Sequence, residues 1–254
     1  MGGASQFLNA LRFMTIVPVA PSNDAIEPDW LSRCVKYFPV VGVGVGLVSA
    51  IVLLIATRMW GPMVASLLAV AASIAVTGAL HEDGLADTAD GLGGGWTVEK
   101  RLAIMKDSRI GTYGVIALVF GMALRVGALA ELPVWAGAAA LVAAHAAARV
   151  TPALVMNRLS YAGDTASMKV SYADAPVSAS ELQFALAAAA CALLPLAFVS
   201  ILSVLSGLLL GAALAAALAA WARRLIGGYT GDVLGAVEQV FEIGFLLGVA
   251  ASIR

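Results

Sequence analysis

The sequence predicts an all-α fold: a polytopic transmembrane helical bundle of about seven spans, preceded by an interfacial N-terminal helix. Three observations carry this. The 254 residues are 61% hydrophobic and only 12% charged, where a soluble domain carries about 25% charged residues. Mean hydropathy is +0.93, and several apolar runs approach or exceed the ~20 residues needed to cross a bilayer. The basic residues also segregate between the loops, as the positive-inside rule requires of a membrane protein. A soluble bundle would need far more polar surface. Residues 1–254 read as a single integral-membrane catalytic domain.

Residues 5–17 are apolar around Arg12 and too short to span, so they form an interfacial or re-entrant helix ending at Pro18. Arg12, Pro18 and Pro21 rule against a cleavable signal, and Gln6 stands where a myristoylation signal needs Ser or Thr. Residues 18–36 read as a loop. Tyr37–Phe38–Pro39 opens a first span over 40–57, whose Gly42, Gly44, Gly46 and Ser49 are small enough for close helix packing. Such small-residue faces also permit self-association into a homo-oligomer. After Arg58 and Gly61–Pro62, a second span runs over 63–80 and delivers His81. The polar segment 91–109 contains a short helix over 97–107 with Thr97 as its cap. Spans follow at 115–132 and 133–155. A second polar segment, 157–180, carries Arg158, Tyr161, Asp164, Lys169, Tyr172 and Asp174. Spans five and six, 182–200 and 202–221, are joined by a tight turn, and the last span covers 233–253.

With the N-terminus in the cytoplasm, Arg12, Arg33, Lys36, Lys100, Arg101, Lys106, Arg109, Arg158, Lys169, Arg223 and Arg224 fall on the cytoplasmic side. The other side receives Arg58 and Arg254. The long polar segments therefore face the cytoplasm. A net charge of −1 gives no basic signature for nucleic acid. Cys34 and Cys191 lack metal-ligand or CxxC spacing and read as packing residues.

The chemistry concentrates in His81–Gly91. Asp83, Asp87 and Asp90 stand at i, i+4 and i+7, which on a helix aligns three carboxylates on one face. Unshielded they repel each other, and a divalent cation removes the repulsion. Mg²⁺ suits oxygen ligands of this kind, held by one or two carboxylates together with substrate phosphates. The competing reading is a solvated acidic helix end. Asp107 is placed to complete a metal site and Arg109 to clamp a phosphate bidentately. Spacing alone serves an ordinary juxtamembrane loop equally well. Arg125, His145 and Arg149 fall inside spans, where ionisable groups mark a functional site or a buried partner. Glu238 and Glu242, at i and i+4 of the last span, either pair with them or line a pocket. Gly227–Asp232 is a glycine-rich turn entering a helix: a phosphate site, or a turn in which Asp232 caps the helix. Together these features suggest phosphoryl transfer at a cytoplasm-facing membrane site.

The run Gly78–Gly91 (GALHEDGLADTADG) resembles the signature of the cobalamin (5′-phosphate) synthase family, the adenosylcobinamide-GDP ribazoletransferases. Met105–Gly114 (MKDSRIGTYG) resembles its second motif, and Gly228–Ala236 (GYTGDVLGA), followed by Glu238, its third. Phe13–Val19 and Tyr37–Gly42 match its N-terminal pattern, so the resemblance runs in order along nearly the whole chain. Ile16 departs from it, standing where many members carry Arg.

The resemblance implies a Mg²⁺-dependent transferase of the bacterial inner membrane, acting in cobalamin biosynthesis. It joins adenosylcobinamide-GDP to α-ribazole or its 5′-phosphate and releases GMP. On that reading Asp83, Asp87 and Arg109 are catalytic. Asp83, Asp87, Asp90 and Asp107 hold metal. His81, Glu82, Arg125, Arg149, Thr230, Asp232 and Glu238 contact substrate. The general base is one of Asp83, Asp87, Asp90 and Asp107. Two other classes share parts of this pattern. A CDP-alcohol phosphotransferase also places aspartates on membrane helices, but its Asp-Gly-x-x-Ala-Arg run carries an Arg that the stretch from Asp83 through Asp87 and Thr88 lacks. A cation-coupled transporter places paired acids near the midplane, whereas the richest cluster here lies at a membrane edge.

Overall fold

In a bilayer every backbone N–H and C=O must find its partner inside the protein, and a helix satisfies them within one segment. The computed structural model describes residues 2–19, 29–163 and 177–253, and within them the chain is helical almost throughout. The helices are α1 (Gly3–Met14), α2 (Trp30–Cys34), α3 (Phe38–Ala56), α4 (Pro62–Thr77), α5 (Leu80–Gly94) and α6 (Val98–Met105). They continue with α7 (Thr112–Ala130), α8 (Val134–Ala148), α9 (Thr151–Met156), α10 (Ala179–Val199), α11 (Ile201–Ile226) and α12 (Gly231–Ser252). Pro21, Asp164, Lys169, Tyr172, Asp174 and Arg254 lie outside the described residues.

Among the described residues six stretches are long and apolar enough to cross a membrane. They are Trp30–Ala56, α7, Val134–Met156, α10, α11 and α12; a seventh span results if α4 and α5 count as one bent unit. This agrees with the sequence expectation of about seven. The span-forming windows of Val134–Met156 and α12 are each 78% buried and form the centre, whereas that of α10 is 22% buried and faces outward.

Glycines let the central helices approach closely. A Cβ on Gly46 would lie 2.6 Å from Val142 Cα, so α3 meets α8 backbone to backbone. A Cβ on Gly248 would lie 2.4 Å from the Ser206 carbonyl oxygen, and α12 meets α11 in the same way. Gly44, expected in the same role as Gly46, has open space around it. The Ser49 hydroxyl donates to the Ala69 carbonyl (2.6 Å) and ties α3 to α4.

Three boundaries differ from the sequence expectation. Residues 30–36, expected as loop, form α2 and, with Tyr37, a 3₁₀ turn, because Leu31, Cys34 and Val35 bury themselves beside Ala10, Met14 and Phe38. The span over 133–155 breaks at Arg149–Val150 into α8 and α9. The second span stops at Thr77. Gly78 (φ 63°) and Ala79 (φ 59°) are both left-handed, and α5 leaves at 91° to α4. Glycine adopts this conformation readily. For alanine it costs about 1–2 kcal/mol. This turn gives the acidic segment a helix of its own.

Two outcomes follow for thermal unfolding in detergent. Ala79→Gly relieves the left-handed strain and leaves stability equal to or up to ~1 kcal/mol above the parent, against the entropy that glycine adds to the unfolded chain. Gly46→Leu forces α3 from α8 and lowers stability by at least ~1–3 kcal/mol.

Candidate active site

The α5 helix lies against α12 and α7, antiparallel to both. Its first turn is level with Gln239, two turns into α12, and its last turn is level with the start of α7. Gly84 is the contact that permits this: a Cβ there would lie 2.8 Å from the Asp232 carbonyl oxygen. Gly235 packs in turn on the His81 backbone.

The deep end of α5 is held by a buried ionic network. Arg125 of α7 pairs with Glu82 (3.0 Å) and Glu242 (3.5 Å). Glu242 also meets His145 Nδ1 (2.7 Å) and Arg149 (3.1 Å) from the end of α8. The Gln239 amide donates to Glu82 (3.1 Å). Two carboxylates and two guanidiniums make the cluster formally neutral with His145 uncharged. That is the condition for charge at membrane depth. Of the residues expected to contact substrate, Glu82 and Arg125 thus pair with each other and Arg149 pairs with Glu242, and none lines the cavity described next. Their geometry is that of struts joining four helices.

A cavity of about 140 Å³ opens between α5 and α12. His81, Asp83 and Gly84 line one side, and Asp232, Gly235 and Glu238 the other. Phe13, Met14, Phe38 and Met156 form an apolar wall that the sequence reading did not anticipate. His81 Nε2 lies 3.0 Å from Glu238 Oε2, without the alignment of a hydrogen bond. The volume is below the ~300–1,000 Å³ of ordinary ligand pockets. It accommodates a fragment of a substrate, with the remainder at the mouth.

Asp83 is exposed and Asp87 half-buried. The like charges of Asp83, Asp232 and Asp90 all act on Asp87. Among the described residues no Lys, Arg or His pairs with Asp83, Asp87 or Asp232. The Thr230 hydroxyl accepts from Val233 N–H as the cap of α12 and lies 3.4 Å from Asp232 Oδ2. Capping therefore falls to Thr230, and Asp232 is left to face the cavity. The glycine-rich turn before it is braced by Tyr229 N–H donating to Ser160 O (3.0 Å) and Ala162 N–H to Tyr229 O (2.8 Å).

Asp90 points elsewhere. Its two oxygens accept Gly111 N–H (2.7 Å) and Gly114 N–H (2.9 Å), so it caps the start of α7 from outside that helix. Gly111 and Gly114 have no room for a side chain here, since a Cβ would meet the Asp90 carboxylate at 2.5 and 2.4 Å. Asp107 and Arg109 form a bidentate pair with each other in the loop before α7 (2.6 and 3.0 Å). Arg109 is 87% exposed. Hydrogen bonds from Arg109 hold the Asp107 carboxyl down at about 2, and the pair raises Arg109. Neither residue lines the cavity.

Among the described residues no three His, Cys, Asp or Glu side chains converge closely enough to form a ready-made metal cage. Mg²⁺ does not require one, since it keeps several waters and borrows substrate phosphates. Asp83 and Asp87 on α5 and Asp232 on the facing α12, carboxylates without a paired cation among the described residues, are oxygen donors of the kind it takes. Asp83 and Asp87 come from the expected run. Asp232 joins them, although it was expected to contact substrate only. The signal available for Asp232 was its place with Glu238, Gln239 and Glu242 on a helix whose other residues up to Ala251 are apolar or glycine.

Fold and site together define a multi-pass helical membrane protein with an acidic cavity at one end of its bundle. The chain belongs to the cobalamin-5-phosphate synthase family, whose model matches residues 6–250. Similar proteins include the adenosylcobinamide-GDP ribazoletransferase of Shewanella piezotolerans, 42% identical over 93% of this chain and 91% of that one. The protein of that name from Leptothrix cholodnii is 42% identical over 98% of this chain and 96% of its own. No solved structure matches.

The geometry of Asp90 gives a direct outcome. Asp90→Ala removes two charge-assisted hydrogen bonds and lowers stability by about 1–3 kcal/mol. Thermal unfolding with and without Mg²⁺ checks this. The capping role predicts a lowered midpoint with the Mg²⁺ dependence changed less than about threefold; a direct ligand would change that dependence tenfold or more.

Proposed function

We infer that this chain is a transferase that joins adenosylcobinamide-GDP to α-ribazole, or its 5′-phosphate, and releases GMP. Its near full-length kinship to ribazoletransferases supports the reaction. The observation that carries the site is the meeting of Asp83 with Asp232 at one cavity, with Asp87 one turn along α5 in the field of both and no cation paired with the three among the described residues. A diphosphate donor with its metal supplies the positive charge that the three acids lack.

In the proposed mechanism Asp83, Asp87 and Asp232 would hold Mg²⁺, which would supply charge neutralisation and Lewis acidity toward the phosphoryl oxygens. A ribazole hydroxyl oxygen attacks the phosphorus that carries the cobinamide. The new P–O bond forms there, and the P–O bond to GMP breaks. A site carboxylate takes the hydroxyl proton. Arg109, exposed in the loop before α7 and oriented by Asp107, reaches in to steady the leaving phosphate as a bidentate donor. Asp107 thereby serves through Arg109. His81 and Glu238 orient the substrate at the cavity wall, and the apolar wall excludes water.

The excess of basic residues in the loops near this cavity supports a cytoplasmic active site in the inner membrane. The outward face of α10 leaves area for self-association.

The test is GMP release from purified protein given adenosylcobinamide-GDP, α-ribazole and Mg²⁺. Asp83→Ala and Asp87→Ala are expected to lower turnover by at least ~100-fold, on the scale of lost electrostatic stabilisation, with unfolding midpoints unchanged or raised by relief of repulsion. Chelation of Mg²⁺ abolishes release, and its return restores it. Wild-type turnover in Asp83→Ala would remove the assignment.

A further inference from the structure

A second, larger concavity of about 680 Å³ lies between α9, α11 and α12, on a face of α12 adjoining the one that lines the acidic cavity. Its floor is apolar and shallow-sided, formed by residues such as Ala215, Ala219 and Phe241. One end is different. Arg158, following α9, and Arg223 and Arg224, in the last turn of α11, converge on it. All three are exposed, and among the described residues no carboxylate pairs with any of them. Arginines in a last helical turn suit the helix dipole, and that alone would explain Arg223 and Arg224. It does not explain Arg158, which arrives from a separate segment to the same rim.

The dimensions match one leaflet. The groove follows α11 from Ala212 to Arg224, about 18 Å of helix at ~1.5 Å per residue. Half of a ~30 Å hydrocarbon core is about 15 Å. An occupant with an apolar chain of that length and an anionic head fits both halves of the groove. A neutral chain would leave three guanidiniums without counter-charge. A free nucleotide would leave the apolar floor uncovered.

We propose that the α9–α11–α12 groove, with Arg158, Arg223 and Arg224 at its rim, is a binding site for an anionic phospholipid of the adjoining leaflet. The acyl chain lies along Ala215, Ala219 and Phe241, and the phosphate accepts from the three guanidiniums. The α9 and α12 helices are shared walls: the groove touches Val155 and Val237, and the acidic cavity touches Met156 and Glu238. A lipid seated here braces the outer side of the helix that carries Asp232. The site is independent of the transferase reading.

The test uses the purified chain in equal mixtures of phosphatidylglycerol and phosphatidylcholine, with retained lipid measured by native mass spectrometry. The wild type is expected to retain phosphatidylglycerol at least ~10-fold over phosphatidylcholine. R158A/R223A/R224A reduces that preference below ~2-fold, and the corresponding triple lysine variant keeps most of it. Ala219→Trp fills the floor and lowers retention of both lipids with the arginines intact. Equal retention of both lipids by the wild type would overturn the proposal. So would preference that survives the triple alanine variant, or an Ala216→Cys variant whose groove cross-links to a second copy and retains no lipid.

Discussion

Charge inside a membrane bundle must be paired, and here the pairing of Glu82 and Glu242 with Arg125, Arg149 and His145 fixes where α5 lies. Breaking one partner of such a pair strands a buried charge, at a cost of about 3–5 kcal/mol. The network therefore has one arrangement, and α5, α7, α8 and α12 are held in one register by it. The left-handed turn at Gly78–Ala79 feeds α5 into that register. Gly84 then allows the backbone of Asp232 to come within reach.

The site follows from the same constraint by contrast. The deep ionisable groups of this network all have a partner of opposite sign. Asp83 and Asp232 at the cavity, and Asp87 one turn along α5, have none among the described residues. This contrast, charges paired in one layer and three acids unpaired in the next, is what supports the proposal of a cationic or metal-bearing ligand. Membership of the cobalamin-5-phosphate synthase family gives that proposal a chemical context, a diphosphate donor.

Much of this was legible in the sequence. The apolar run lengths located the spans, and Thr97 caps α6 as its spacing indicated. The i, i+4, i+7 spacing of Asp83, Asp87 and Asp90 correctly aligned them on a helix. It did not tell which neighbour each would meet. Seven residues are about 10.5 Å along a helix, enough for Asp83 to reach α12 and Asp90 to reach the start of α7. The bend at residues 78–79 was hidden because the apolar run continues to Leu80 and alanine gives no sign of a left-handed position. The fates of Arg125 and Arg149 were open because a charge in a span reads the same whether it serves a ligand or a partner. The cavity wall was out of reach, since Phe13 and Met156 are ordinary apolar residues until tertiary packing brings them together.

The central claim is that Asp83 and Asp232, from different helices, act on one diphosphate-bound metal. A double-mutant cycle with Asp83→Asn, Asp232→Asn and the pair, read as GMP release across a Mg²⁺ titration, tests it most directly. Shared action predicts strong non-additivity, with the double variant little worse than the more damaged single variant and all three shifted in Mg²⁺ dependence. Losses that simply add, with Mg²⁺ dependence unchanged in Asp232→Asn, would contradict it.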